Sequence, residues 1–395
     1  MKKKVLLAFS GGLDTSYCAM HLVKECGFEV VAATINTGGF DQTAANQLQE
    51  KALSLGVSDY KFIDQTAHFY EQGIKYLIFG NVLKNNTYPL SVSAERVFQA
   101  MALAYLAIEM KVDAIAHGST GAGNDQIRFD LIFQTMCPHI EIITPIRDLA
   151  LSREEEISYL QQHGVEGVWE KALYSINEGL WGTSIGGMET LTSNGVLPEE
   201  AFPNQLQEFD SEVIEIRFEK GEPVGLNGTI MTPIDVIKGL NEWGGKYAIG
   251  RDVHVGDTII GIKGRVGFEA AGPLMLIKGH HLLEKHTLSK QQLFIKDQMT
   301  AFYGSLMHEG QYLDPVMRNI EAFLSSSQKN VTGTVEIRLA PYRFQLLGIQ
   351  SDFDLMQSAV ANYGETNKAW SAAEVKGFTK IFSNQTKLYY GLKDA

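Results

Sequence analysis

The residues best suited to do chemistry begin with Ser10-Gly11-Gly12-Leu13-Asp14-Thr15-Ser16. Glycines let a backbone come close to a ligand, and the first turn of a following helix leaves N–H groups free beside the positive end of the helix dipole. Hydroxyls of Ser10, Thr15 and Ser16 add donors, so the stretch is suited to gripping an anion of phosphate type. It lacks the Gly-Lys-Ser/Thr of a Walker loop and the Gly-x-Gly-x-x-Gly of a dinucleotide turn. A second dense stretch is His117-Gly118-Ser119-Thr120-Gly121-Ala122-Gly123-Asn124-Asp125-Gln126-Ile127-Arg128. A carboxylate that could hold an ammonium and a guanidinium that could hold a carboxylate stand three apart there. An amino-acid zwitterion needs that pairing; a glycine-rich turn with a surface salt bridge would need only the same residues.

Both stretches require elements that place them. Val5 to Phe9 is an unbroken apolar run ahead of the first, as expected of a strand buried on both faces, and Ala19, Leu22, Val23 and Cys26 give the helix after it an apolar face. Strands follow over Glu29–Ile35, Asp59–Asp64 and Asp113–Ala116. Helices lie between them: one capped by Asp41 with Ala45, Leu48, Ala52 and Leu55 on its face, and a strong one carrying Val97, Met101, Ala104 and Ile108. This rhythm predicts an α/β fold, a doubly wound parallel sheet whose ligands sit beyond the carboxyl ends of the strands. The loops after Phe9, Ile35 and Ala116 then share one rim.

The pattern changes near residue 164. The stretch 165–205, with Trp169 and Trp181, reads as an irregular functional loop. Lys220-Gly221-Glu222 signals a hairpin, and apolar runs at Thr258–Ile262, Val331–Leu339 and Phe344–Ile349 alternate with helical segments. The expected organisation is a nucleotide-binding domain over 1–164, an α+β synthetase domain over 165–375, and a short C-terminal tail over 376–395 suited to oligomerisation.

At 395 residues two domains are the prior, and a net charge of −12 argues against a broad nucleic-acid or anionic-membrane footprint. The apolar run after Lys2-Lys3-Lys4 is too short for a secretory core, no stretch approaches a membrane span, and Cys18, Cys26 and Cys137 form no Cys-x-x-Cys pair. A cytoplasmic, reducing compartment is expected. His280, His281 and His286 read as a surface cluster without metal-binding spacing.

Ser-Gly-Gly-x-Asp-Thr-Ser resembles the pyrophosphate loop of N-type ATP pyrophosphatases, which hold the β- and γ-phosphates as a leaving pyrophosphate. Together with His117 to Phe129, and with Lys246 to Arg251 as Gly-Lys-x-x-x-Gly-Arg, the chain is similar to the argininosuccinate synthase family. The resemblance implies ATP as cosubstrate with Mg²⁺, no metal site from the protein alone, and a two-step ligation. In it a citrulline ureido oxygen takes AMP from ATP, and the aspartate amine then displaces AMP. It places Phe9, Ser10, Gly11, Gly12, Leu13, Asp14, Thr15 and Ser16 around the phosphates and Ala8, Ile35 and Gly118 around the adenosine. It places Thr120, Asn124 and Asp125 on aspartate, and Tyr88, Ser93, Asn124, Arg128, Ser175 and Ser184 on citrulline. Asp14, Asp125 and Arg128 would be the catalytic set, Asp14 acting through Mg²⁺ or its waters, in a homo-oligomer, a tetramer by resemblance.

The chain departs from the family at the citrulline α-amino end. Gly256 stands where the family has a glutamate and Phe268 where it has a tyrosine, while Lys263-Gly264-Arg265-Val266 replaces Lys-Ser-Arg-Gly. Either Asp252 or Asp257 moves in, or serine, tyrosine and waters suffice for plain citrulline, or the substrate is an N-acylated citrulline whose acyl group fills the space that Gly256 leaves. A tRNA-thiolating relative, with Cys137 as its thiol, and a non-catalytic nucleotide sensor are the alternative readings.

Overall fold

The computed structural model describes residues 2–165, 174–360, 363–364 and 368–392. Its first sheet is parallel: β1 (Lys4–Ala8), β2 (Glu29–Asn36), β3 (Asp59–Asp64), β4 (Ala114–Ala116) and β5 (Glu141–Ile143) lie in the order β3-β2-β1-β4-β5. Pleating explains the unbroken apolar runs. Leu6, Val31, Ala33, Ile35 and Ile115 enter one core, while Val5, Leu7, Val30, Ala32, Ala114 and Ala116 enter a second on the opposite face. The second core is closed by α1 (Leu13–Lys24), α2 (Gln42–Ser54) and the helix Arg153–Gln162. The first is closed by α3 (Ser91–Met110), whose Val97, Phe98 and Leu103 pack on it. Because β2 and β4 flank β1 on opposite sides, the order reverses there, and the loops after β1 and β4 meet at that switch point. Asp41 caps α2 by accepting from Ala44 N at 2.8 Å.

The rest of the chain builds antiparallel sheets. Strands β6 (Ser175–Gly179), β7 (Gly182–Gly186), β11 (Arg251–Asp257) and β12 (Lys263–Glu269) form one sheet in the order β11-β12-β7-β6. The other, ordered β10-β9-β8-β13-β14, holds β8 (Glu212–Glu219), β9 (Glu222–Leu226), β10 (Thr229–Ile230), β13 (Gly333–Ala340) and β14 (Arg343–Gln350). Lys220 and Gly221 turn β8 into β9 with φ of +49° and +82°, the twist that hairpins favour. Ile214, Ile216, Phe218, Ile337 and Leu339 join Leu6 and Phe98 in one continuous core, so both halves of the chain fold against each other.

Three expectations need correction. The stretch 165–205 is not irregular throughout: β6 and β7 form a hairpin within it. Serine, asparagine and glycine hide those strands from propensity; pairing with β12 and the buried Trp181, whose indole N–H donates to Pro89 O at 2.8 Å, hold them. Trp169 lies outside the described residues. Thr258–Ile262 is the turn between β11 and β12, closed by Thr258 N–H on Ile262 O at 2.7 Å, with Ile260 and Ile262 exposed. His280 is no surface residue. It lies fully buried on the helix Ala271–Thr287, between Asn81 Oδ1 at 2.7 Å and Gln328 Oε1 at 2.8 Å. There it belongs to a sealed polar network centred on Glu284 and Lys296.

Candidate active site

The loop after β1 has the form its residues predict. Gly11 takes φ +75°, and Gly12, extended at φ −70° and ψ 179°, starts α1 without a side-chain cap. The N–H groups of the first turn are thus left to a ligand. Ser16 Oγ donates back to Gly12 O at 2.7 Å, and the Ser10 and Thr15 hydroxyls meet at 3.3 Å, which fixes the loop from within. Lys51 of α2 donates its ammonium to Gly11 O at 2.5 Å; it is a cation at the loop that sequence reading missed. Ala8 ends β1 and Ile35 is the last but one residue of β2, at the same rim. Gly118 allows the loop after β4 to cross the first turn of α1, since a Cβ there would sit 3.2 Å from the Asp14 carbonyl carbon.

A Gly11→Ala variant tests this geometry. Its methyl would collide with Leu48 Cδ2 in a left-handed backbone, and left-handed geometry alone costs about 1–2 kcal/mol. The expected result is an ATP KM raised about tenfold with an unchanged circular dichroism spectrum. An unchanged KM would remove the loop from nucleotide binding.

Asp14 faces inward toward Glu156. Burial raises the Asp14 carboxyl, and burial together with the neighbouring Asp14 charge pushes Glu156 up to about 8. The two acids therefore hold a proton between them at neutral pH, which limits the negative charge beneath the loop.

The second stretch opens the helix Asp125–Met136. Asp125 Oδ1 accepts from Arg128 Nη1 at 2.7 Å and Oδ2 from Arg96 Nε at 3.1 Å. Burial alone would raise its pKa, but the two guanidinium groups more than offset this and keep it ionised below the usual range. Arg128, only 5% exposed, also donates to His308 O at 2.8 Å. Arg96 reaches across to Asn177 Oδ1 at 2.9 Å on β6. Asn124 Oδ1 accepts from Ile259 N at 2.9 Å, which ties this helix to the β11–β12 turn. Thr120 lies in the exposed part of the preceding loop. Both Asp125 oxygens are thus engaged by arginines within the chain.

The remaining wall is one face of the four-stranded sheet. Cross-strand register puts Asn177, Ser184, Phe268 and Asp252 in one row, and alternation puts Ser175, His254 and Gly256 on the same side. Phe268 and His254 both pack on Tyr88, with ring centroids 5.4 and 5.1 Å away. The Tyr88 hydroxyl accepts from Val92 N at 3.2 Å and so anchors the start of α3. Ser93, on that first turn, has a buried hydroxyl with no partner. Ser184 is buried and Ser175 exposed at the outer end of the face. Glu95 lies against Gly179, where any Cβ would collide with its carboxylate; burial pushes its carboxyl up to about 7.

Contacts thus link Asp125, Arg128, Arg96 and Asn177, whose cross-strand partner is Ser184, and run through His308 to Tyr88, with Asn124 and Ser93 on the same helix starts and Ser175 at the margin. Sequence reading missed Arg96, Asn177, His254 and His308. Arg96 left a trace, because Glu95-Arg96 interrupts the small and apolar residues that open α3. The other three left none.

Neither aspartate takes the place of the missing carboxylate. The β11–β12 register runs without a shift, Asp257 points to the opposite face and pairs with Lys263 at 2.6 Å, and exposed Asp252 accepts from Val253 N. The space at Gly256 is not open either: a Cβ there would lie 2.7 Å from His254 Nε2.

A glycine turn with free helix N–H groups thus stands at the switch point of a parallel sheet, the arrangement of an α/β protein with its ligand site on that rim. Residues 4–166 match the family model described as the arginosuccinate synthase N-terminal HUP domain, and residues 174–389 that of its C-terminal domain. Similar proteins include the argininosuccinate synthases of Methanocaldococcus jannaschii and Dictyoglomus turgidum, each 36% identical over 98% of both chains. That of Methanococcus maripaludis is 33% identical over 99% of both. The chain belongs to the argininosuccinate synthase family.

Proposed function

We propose that this protein joins a citrulline-type ureido group to aspartate with ATP, in arginine biosynthesis, and releases AMP and pyrophosphate. The ureido oxygen attacks the α-phosphorus and pyrophosphate leaves, giving a citrullyl-AMP. The aspartate amine then attacks the ureido carbon and expels AMP. The observation that carries this reading is the juxtaposition of an uncapped helix start after Gly11-Gly12 with the Arg96–Asp125–Arg128 network at one rim of the sheet. Residues Phe9 to Ser16 and Lys51 take the pyrophosphate, and Ala8, Ile35 and Gly118 the adenosine. Catalysis here is positioning and stabilisation of phosphate charge.

Thr120, Asn124 and Asp125 take aspartate, and Tyr88, Ser93, Arg128, Ser175 and Ser184 the ureido substrate. Magnesium enters with the nucleotide as part of the substrate, and Asp14 could meet it or its waters only by turning away from Glu156. The division of labour follows the boundaries 1–164, 165–375 and 376–395. The helices Ala372–Phe382 and Asn384–Gly391 expose Phe378, Ile381, Phe382 and Leu388, apolar surface that a second copy of the chain would cover. The three free thiols fit a reducing cytoplasm. Sulfur transfer finds little support, because Cys137 is buried and burial pushes its thiol up, away from the reactive thiolate.

With both amino-acid substrates present, ATP is expected to yield AMP and pyrophosphate in equal amounts. Chromatographic assay of AMP, ADP, pyrophosphate and phosphate decides it, and ADP with phosphate as main products would sink the reading.

A further inference from the structure

The chamber wall around Tyr88 has an unusual charge balance. His254 is 5% exposed, stacks on Tyr88 and leaves its Nδ1 buried without a partner. Its ring lies over Gly256. Lys84, whose ammonium donates to Ser305 Oγ at 3.1 Å, and His308, whose ring centroid is 6.4 Å from that of His254, complete this end. Burial, with the Lys84 charge adding to it, holds His254 below its ordinary range and therefore neutral at physiological pH. His308 is neutral for the same reasons, with Arg128 adding to the effect.

Carboxylates are scarce at this end. On the sheet face Asp252 is the one acid, and it is exposed and turned back onto its own backbone. Asp125 is held by two arginines. Among the described residues, a substrate ammonium brought here would meet a lysine, an arginine and two neutral imidazoles, and the nearest carboxylate, Asp125, is already spent on Arg96 and Arg128. An uncompensated charge of this kind is strongly unfavourable. A neutral amide has the opposite fit. Its N–H can donate to the unpartnered imidazole nitrogen, and its carbonyl can accept from Lys84 or the Asn85 amide, which lies 3.5 Å from where a Gly256 Cβ would be.

We propose that the ureido substrate carries an acylated α-nitrogen, an Nα-acylcitrulline, recognised by His254 over Gly256. This rests on the ligase reading above and refines its substrate. The ligation chemistry is unchanged, because the acyl group is remote from the ureido oxygen; the product is an Nα-acylated argininosuccinate.

The test is kcat/KM for citrulline, Nα-acetylcitrulline and Nα-succinylcitrulline, measured by pyrophosphate release at saturating ATP and aspartate. At least one acylated form is expected to exceed free citrulline tenfold or more. Equal use, or preference for free citrulline, overturns the acyl assignment and leaves the ligase reading standing. Pyrophosphate release with none of the three sinks the ligase reading and this one with it. A second measurement uses His254→Ala/Gly256→Glu, in which the smaller residue 254 makes room for the new carboxylate. It should move the preference at least tenfold toward free citrulline. A folded double variant that keeps the wild-type preference overturns the placement of the α-nitrogen at His254.

Discussion

Replacing Asp125 by alanine is expected to lower kcat/KM for both amino-acid substrates about 10²- to 10³-fold, more than loss of an amine contact alone would. Among the described residues the carboxylate is the bridge between Arg96 and Arg128, and both guanidinium groups are largely buried. Removing one partner of a desolvated pair costs about 2–5 kcal/mol, much of it the penalty on the charge left behind. Arg96 would lose its hold while still bound to Asn177 on β6, so the error passes to the hairpin that carries Ser184. The step-resolved readout is ATP–pyrophosphate exchange with the ureido substrate present. It should fall along with turnover, because Arg128 serves the first step. Full exchange with lost turnover would confine Asp125 to the aspartate amine, and turnover within threefold of wild type would make the trio a surface feature.

The largest stability effect is expected far from the chamber, at Glu284→Ala. Glu284 and Lys296 are both fully buried, and the carboxylate accepts from Lys296 Nζ at 2.8 Å, Asn81 Nδ2 at 2.6 Å and Gln328 Nε2 at 2.9 Å. Truncation strands an ammonium without a carboxylate, at a cost of about 3–5 kcal/mol. Chemical denaturation should show the loss in its midpoint. The double variant Glu284→Gln/Lys296→Met should recover much of it, since replacing both partners leaves no bare charge. A Glu284→Ala loss below about 1 kcal/mol, within the range of an exposed pair, would contradict the sealed network.

What could be read beforehand follows from how far apart the cooperating residues lie. Ser10 to Ser16 form a site within seven residues, and the buried strands around them announce themselves as apolar runs, so the loop and its rim were legible. The pairings that complete the chamber were not. Arg96 meets Asn177 81 residues away, and Arg128 meets His308 180 residues away. No local pattern encodes such a meeting; it exists only once both sheets have packed. The hairpin Ser175–Gly186 was hidden for a different reason: its residues have low strand propensity and take their shape from β12 and Trp181. His280 read as a surface residue because the histidine cluster lacks metal-binding spacing and nothing local names a buried partner. Its partners, Asn81 and Gln328, come from opposite directions along the chain.

The bond from Arg128 to His308 also sets a timetable for biosynthesis. The phosphate-type loop is made almost first, and the residue that seats Arg128 comes roughly 290 residues later. At roughly 5–20 residues per second a ribosome needs on the order of 15–60 s to pass from Ser16 to His308. During that interval a nascent chain can already present its loop to ATP, yet Arg128 still lacks the carbonyl of His308 that seats it. In the proposed ligase, turnover then waits on the later part of the chain, so the order of translation places nucleotide capture ahead of it.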